Sequence, residues 1–563
     1  MKTKLLFIML LLMATMKMNA QWNYEWARRM GGVSPDNAYG IAVDNDGNVI
    51  TCGEFYETVD FDPSEEGEAL LTSIGSDNGF VSKLDSLGNF AWARSIEGES
   101  SVFAVATDED GNVYCGGNFR NTVDFLAGEE EWFLTTPGYT DGFLAKYTSD
   151  GIFLWAHSFG SVYHDKVVGI TLDESGNLIV YGDFTGIVDF DFGDGELVLE
   201  ETSESFDSDA FVAKYDQDGN VIWAKQFAGQ SLQYATGAEV NSEGDIVVAG
   251  YFNINIDCDP GPGELIFENG SESDRQCYAV KLSPEGDLIW GKSFGGAGQD
   301  VIYAMAVDEQ DNVYATGYFY STADFNPGGE VFEMTAPSFV RDAFIIKLDT
   351  DGNFVWAKQF ESISTGAMAG QDIDVLGGIV YSTGYVSEVC DFDPNAGQQN
   401  LGALGSLDIY ISALDSDGEY LWADRMGSSQ NDMGFAIVVD EQYIYNTGYF
   451  SHNSVGFGNS DWFNTNGFSD VFVCKIQHPL ISSVHESRYF DIEVYPNPAH
   501  NAIVINGISS QSNIVMYDIT GKMVLNENVI NNASLDISSL DAGIYMMSFM
   551  QDGIKVTKKI VVE

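Results

Sequence analysis

Positive charge is scarce in this sequence. Its 563 residues carry 25 Lys and Arg against 85 Asp and Glu, a formal net charge of −60. A surface this acidic repels nucleic-acid phosphate and anionic lipid, so neither is expected as a partner. Divalent cations, neutral glycans and basic proteins remain compatible with it. Histidine is also scarce: His157, His164, His452, His478, His485 and His500 are the whole set. They form no His-x-x-x-His pair, and the cysteines show no zinc spacing. There is no G-x-S-x-G elbow and no nucleotide-binding glycine loop. The Asp-rich turns lack the late Glu of an EF-hand loop. These absences argue against an enzyme. Carboxylates are so common, however, that a glycosidase-type pair among them stays open.

Long apolar runs are missing after residue 20, so no transmembrane segment is expected. Residues 1–20 read as a secretory signal, with Lys2 and Lys4 before the apolar run "LLFIMLLLMAT" and Ala20 before the cut. No Cys stands at the cut, so a lipid anchor is not expected. Six cysteines in an exported chain are able to pair. Cys52, Cys115 and Cys474 lie in strand-like runs, where a lone Cys serves as a small apolar residue. Cys258 and Cys277 fall within one repeat and are the pair expected to bridge, if any does.

What is present is a period. Trp26, Trp92, Trp155, Trp223, Trp290, Trp356 and Trp422 follow one another at intervals of 66, 63, 68, 67, 66 and 66 residues. Such a period marks a repeat architecture. Each repeat holds four strand signals, as in "YGIAVD", "NVITCGEF", "GFVSKLD" and "NFAWARSI", with Asp-Gly and Gly-Asn steps supplying tight turns. Four antiparallel strands repeated seven times predict a seven-bladed β-propeller. The last repeat lacks its Trp strand, and the N-terminus carries an orphan one, "WNYEWARR". The ring is therefore expected to close through the N-terminal strand, with Trp26 beside the strand at 472–476. The tryptophans are expected to pack one blade against the next.

Residues 21–477 resemble the bacterial β-propeller repeats of exported proteins, on stretches such as "VATDEDGNVYCGGNF" and "DAFIIKLDTDGNFVWAKQF". The resemblance implies the fold; propellers host many functions. After a polar linker, 478–488, the stretch 489–563 resembles the C-terminal sorting domain of the Bacteroidota type IX secretion system. The matching pieces are Pro496-Asn497-Pro498, "YDITGK" with Gly521, and "LDAGIY" with Gly543 and Tyr545. That resemblance implies an immunoglobulin-like β-sandwich, recognition by the secretion machinery, and a secreted or cell-surface destination.

One acidic phrase recurs between the second and third strands: "VDFDP" at 59, "VDFLA" at 123, "VDFDF" at 188, "IDCDP" at 256, "ADFNP" at 323 and "CDFDP" at 390. Chain direction gathers all six on one rim. Phe61, Phe125, Phe190, Phe325 and Phe392 are expected to pack inward. Asp60, Asp62, Asp124, Asp189, Asp191, Asp257, Asp259, Asp324, Asp391 and Asp393 are candidates either for a structural corner or for a ligand- or calcium-holding rim. No other cofactor is implied. Trp132, Trp462 and Tyr139 are candidate exposed contacts. Together these features point to a non-enzymatic binding module for glycan or protein. A carbohydrate-active hydrolase or lyase, or a purely structural surface component, are the alternatives.

Overall fold

A computed structural model describes residues 23–64, 67–126, 131–202, 207–363, 366–457 and 461–478. In the C-terminal part it describes 493–495, 499–506, 512–518, 522–529, 533–538, 540, 543–551 and 554–562. The signal stretch, most of the linker, Pro496, Asn497, Pro498 and Gly521 lie outside the described residues, as does the Trp462 side chain. The regular structure is β-strand, in two compact units divided after His478.

In the first unit, one antiparallel four-strand pattern recurs. The third occurrence is typical: Lys166–Leu172, Leu178–Phe184, Asp209–Tyr215 and Val221–Phe227 pair in chain order. The strand Phe90–Thr107 serves twice, ending the first set and opening the second. The last set comprises Met433–Val439, Tyr443–Phe457 and Asp461–Gln477. Its fourth strand is Asn23–Met30, with Trp26 opposite Lys475.

The turns follow from their residues. In "DNDGN", Asp44 Oδ1 accepts the amides of Asp46 (3.0 Å) and Asn48 (2.9 Å), and Gly47 takes φ 76°. The other oxygen of Asp44 meets the Lys83 ammonium at 2.8 Å, both side chains being buried. Lys83 also donates to the Ser149 carbonyl of the next set, at 3.1 Å. Lys214–Asp173 and Lys281–Asp245 repeat the ion pair at 2.9 Å. Much of the scarce lysine is thus spent inside the fold.

The core lies between neighbouring sets. One buried cluster joins Val247 and Ala249 of the fourth set to Ile302, Phe319 and Phe344 of the fifth. The tryptophans stitch the same seams. Trp26, Trp92, Trp223, Trp290 and Trp356 each donate Nε1 to a backbone carbonyl in the next set's last turn, at 3.0–3.2 Å. Trp155 Nε1 is buried without a hydrogen-bond partner.

The Cys258–Cys277 expectation fails. All six cysteines are free and buried. Cys258 packs with Ile256 and Tyr278 in one core cluster, and Cys277 with Ile302 and Phe294 in another. The two thiols serve different cores, so sequence proximity does not bring them together.

In the second unit, Glu493–Tyr495, Ala502–Asn506 and Ala533–Asp536 form one sheet. Met523–Val529, Ser512–Asp518, Gly543–Gln551 and Ile554–Val562 form another. Ile503, Ile505, Met516, Tyr545 and Met547 share one core. Gly543 opens a strand there, and Tyr545 is buried.

Candidate functional site

The acidic phrase opens a small hairpin. Thr122–Asp124 pairs with Phe133–Thr135, and the pattern recurs at Ile187–Asp189, Asn255–Asp257, Thr322–Asp324 and Val389–Asp391. In each hairpin the first Asp holds the loop. Asp324 Oδ1 accepts the amides of Asn326 (3.0 Å) and Phe332 (2.9 Å). Asp60, Asp124, Asp189, Asp257 and Asp391 do the same with their own loops. The second acid, in Asp62, Asp191, Asp259 and Asp393, accepts the amide two residues on.

The backbone of the phrase joins the preceding set as well: Asp60 bridges Gly31, Asp257 bridges Ala228, Asp324 faces Gly295, and Asp391 faces Glu361. Phe61, Phe125, Phe190, Phe325 and Phe392 are buried. Each ring lies 4.9–5.0 Å from the aromatic ring that follows the start of the third strand: Phe80, Phe143, Phe211, Phe344 and Tyr410. Cys258 occupies the Phe position in the fourth set. The ten acids are therefore distributed among separate hairpins. Among the described residues, no three His, Cys, Asp or Glu side chains form a group able to hold a metal ion.

A second feature is invisible in composition. All seven first strands surround a cavity of about 530 Å³. Each carries a β-bulge at the same place, between Ala38 and Gly40, Val102 and Ala104, Val167 and Gly169, Ala235 and Gly237, Ile302 and Ala304, Gly370 and Asp372, and Gly434 and Ala436. A bulge leaves one residue unpaired and re-aims its side chain. The extra residues are Tyr39, Phe103, Val168, Thr236, Tyr303, Gln371 and Phe435, and all of them line the cavity. Three are adjacent aromatics: Tyr39 stands 5.5 Å from Phe103 and 5.4 Å from Phe435, ring centre to ring centre. Tyr39 donates its hydroxyl to Glu54 Oε1 (2.8 Å), and Ser101 donates to Glu54 Oε2 (2.7 Å).

Glu239, Asp372 and Asp374 also line the cavity. Its walls desolvate them. Burial pushes the Glu239 carboxyl up to about 8, with the Asp374 and Asp372 charges adding to the effect. Burial likewise raises Asp372 to about 7 and Asp374 to about 6. Asp372 and Asp374 each accept a backbone amide of the next set, from Ile437 and Val439, at 2.7 Å.

The sequence candidates elsewhere have local duties. Trp132 donates to the Ala156 carbonyl at 3.1 Å, with part of its ring exposed. Tyr139 is exposed and stacks on His164 at 5.1 Å. His157 stacks on Phe192 at 4.8 Å, and burial lowers its pKa. His478 is buried against Tyr381, whose hydroxyl lies 2.9 Å from Nδ1, so the first unit runs one residue beyond 477. The bulges and the cavity acids were missed in the sequence. The signal was a Gly or Ala one residue after six of the seven bulges, in "YGI", "FAV", "VGI", "TGA", "YAM" and "FAI"; in the sixth set Asp372 stands there.

The chain is 22% identical over 509 residues to an uncharacterized WD repeat-containing protein of Acanthamoeba polyphaga mimivirus, matching 77% of this chain and 37% of the relative. It is 22% identical over 414 residues to the regulatory protein FlaEY of Caulobacter vibrioides, matching 67% of this chain and 41% of that one. It thus spans well under half the length of these curated relatives. Among solved structures, a Bacteroides caccae protein of unknown function aligns over 60% of this chain and 94% of its own, at 9% identity and a TM-score of 0.28. PorZ, a surface component of the type IX secretion system of Porphyromonas gingivalis, aligns over 96% of this chain and 100% of its own, at 9% identity and a TM-score of 0.18. The family model that matches, over residues 493–563, is the secretion system C-terminal sorting domain. The chain carries the sorting domain that marks proteins for type IX export to the cell surface or the extracellular space.

Proposed function

We propose that this exported protein is a non-enzymatic binding module: a seven-bladed β-propeller closed by its N-terminal strand, with a glycan-binding mouth at its central cavity. The observation that carries the reading is the run of adjacent rings Tyr39, Phe103 and Phe435, each on a bulge residue at the cavity. Aromatic faces beside a fixed carboxylate suit a sugar, which offers apolar C–H faces and hydroxyls. The repeated strand order and the shared cavity support the propeller. The acidic phrases act in this reading as corners that pin one blade to the last, and calcium is not assigned to them. The sorting domain is the part addressed to the secretion machinery.

The test is binding of the exported protein to an oligosaccharide panel by calorimetry, with Phe103→Ala and Phe435→Ala beside the wild type. Loss of retained glycans in both variants, with folding intact, supports the reading. Panel-wide silence together with capture of a defined surface protein at the same rings makes the ligand a protein.

A second reading has one observation in its favour. Glu239, protonated near neutral pH beside Asp374, has the asymmetry that general acid catalysis on a glycoside requires. Glycan turnover by the wild type that Glu239→Gln abolishes would establish the enzyme.

A further inference from the structure

Cations are scarce in this chain, and five of the seven described arginines are committed. Arg29 pairs with Asp470, Arg120 with Glu99 and Arg425 with Asp408. Arg28 and Arg94 donate to backbone carbonyls at Gly88 and Gly151, each at 2.7 Å. Arg275 and Arg341 are different. Among the described residues, neither guanidinium has a carboxylate within 4.0 Å or a hydrogen-bond acceptor, although acids outnumber cations 85 to 25. What holds them is aromatic. Arg275 lies 4.9 Å from the Tyr251 ring centre, and Arg341 lies 5.1 Å from both Tyr318 and Tyr385.

The rings that hold them belong to one cluster: Tyr251 and the cavity-lining Tyr303 both pack against buried Tyr318 and Tyr385. Burial raises the Tyr318 hydroxyl, and the charges of Arg275 and Arg341 both offset that rise. Tyr318 in turn stands 5.6 Å from Tyr303, the bulge residue of its set, which lines the cavity. Both arginines are half-buried, so neither is simply solvated. A guanidinium stacked on a ring keeps its in-plane donors free, and its planar fork matches an oxyanion.

We propose that Arg275 and Arg341 form an oxyanion subsite, so that the glycan taken at the cavity carries an isolated acidic group, a uronate carboxylate or a sulfate ester. This rests on the glycan reading above and deepens it. The charge of the whole chain sharpens the ligand class. A net charge of −60 repels a densely charged polyanion at long range. A mostly neutral glycan with one acid per few sugars meets little of that repulsion, yet still engages the two forks. Tyr251, Tyr318 and Tyr385 are then positioning residues for the guanidinium planes.

The experiment is calorimetry on the exported protein with three matched oligosaccharides: a neutral one, its uronate counterpart and its sulfate ester. The wild type should bind at least one acidic form about tenfold more tightly than the neutral form, as a charge-assisted bidentate contact implies. Arg275→Gln and Arg341→Gln should each remove most of that advantage while leaving the neutral sugar's affinity unchanged. Arg341→Lys, which keeps charge and bulk without the fork, should fall several-fold for the acidic form. The two acidic arms identify which oxyanion is recognised. Equal affinity for neutral and acidic sugars overturns the subsite while the glycan reading survives. An undiminished preference in a folded Arg341→Gln protein also overturns it. Failure of all three sugars to bind counts against both.

Discussion

The acidic corner makes a prediction sharp enough to separate its two readings, and Asp324 is the place to make it. Its Oδ1 holds the amides of Asn326 and Phe332, at 3.0 and 2.9 Å. Removing the acceptor in Asp324→Ala leaves two amides without their charged partner. Hydrogen bonds to charged groups contribute about 1.5–3 kcal/mol each. Two such bonds would sum to about 3–6 kcal/mol, but the loop is only partly buried and water replaces some of the loss, so the expected total is about 2–3 kcal/mol, below that sum. Asp324→Asn keeps a side-chain oxygen in the same position and should cost under about 1 kcal/mol. The assay is urea unfolding of the exported protein, comparing midpoints at unchanged slope, with calcium and with chelator. A corner gives a large Ala effect, a small Asn effect, and the same midpoint in both conditions. A calcium rim gives a wild-type midpoint that rises with calcium, and an Asn variant that loses the rise as completely as the Ala variant. That second pattern would refute the argument that these acids serve their own loops.

Other outcomes follow from the same structure. Lys83→Met should cost about 3 kcal/mol, the low end for breaking a buried pair, because Asp44 retains its turn amides; the urea midpoint checks it. All six thiols should react with an alkylating agent after denaturation without reductant, counted by mass, and reductant should leave the unfolding midpoint unmoved. Stability should fall as pH rises from about 4 to about 8. Burial raises the folded-state carboxyls of Asp36 to about 8, of Asp141 to about 7, and of Asp165 and Asp300 to about 6, all from 3.8. The folded state therefore binds more protons than the unfolded chain across that window, and the stabilisation, full below about 4, is lost as each folded pKa is passed. Asp141→Asn should remove part of the slope, gaining roughly 1–4 kcal/mol at pH 8 and little at pH 4.

The strand order was readable because tryptophan, turn glycines and alternating apolar runs all keep one period, and each reports local geometry. Phe61 and its counterparts were readable for the same reason: alternation tells which side of a short strand faces in. What the acids of the phrase do was not readable. Asp60 bonding its own loop and Asp60 offered to a ligand require the same residue in the same place, and only the positions of the Asp62 and Ala69 amides distinguish them. The cavity was less legible still. Tyr39, Phe103 and Phe435 lie far apart in sequence and come together only through the bulges, whose signal is a small residue lost among 60 glycines. Cys258 and Cys277 misled because nearness along the chain carries no information about which core a side chain enters.

The pairing of Asn23–Met30 with Asp461–Gln477 orders events in time. The first strand of the described chain cannot find its partner until more than four hundred residues have followed it. Unless that pairing forms, the Asp461–Gln477 backbone presents an open edge, available to any extended peptide, including the same segment of another copy. Removal of Asn23–Met30 would leave that edge unpaired without touching any residue that lines the cavity.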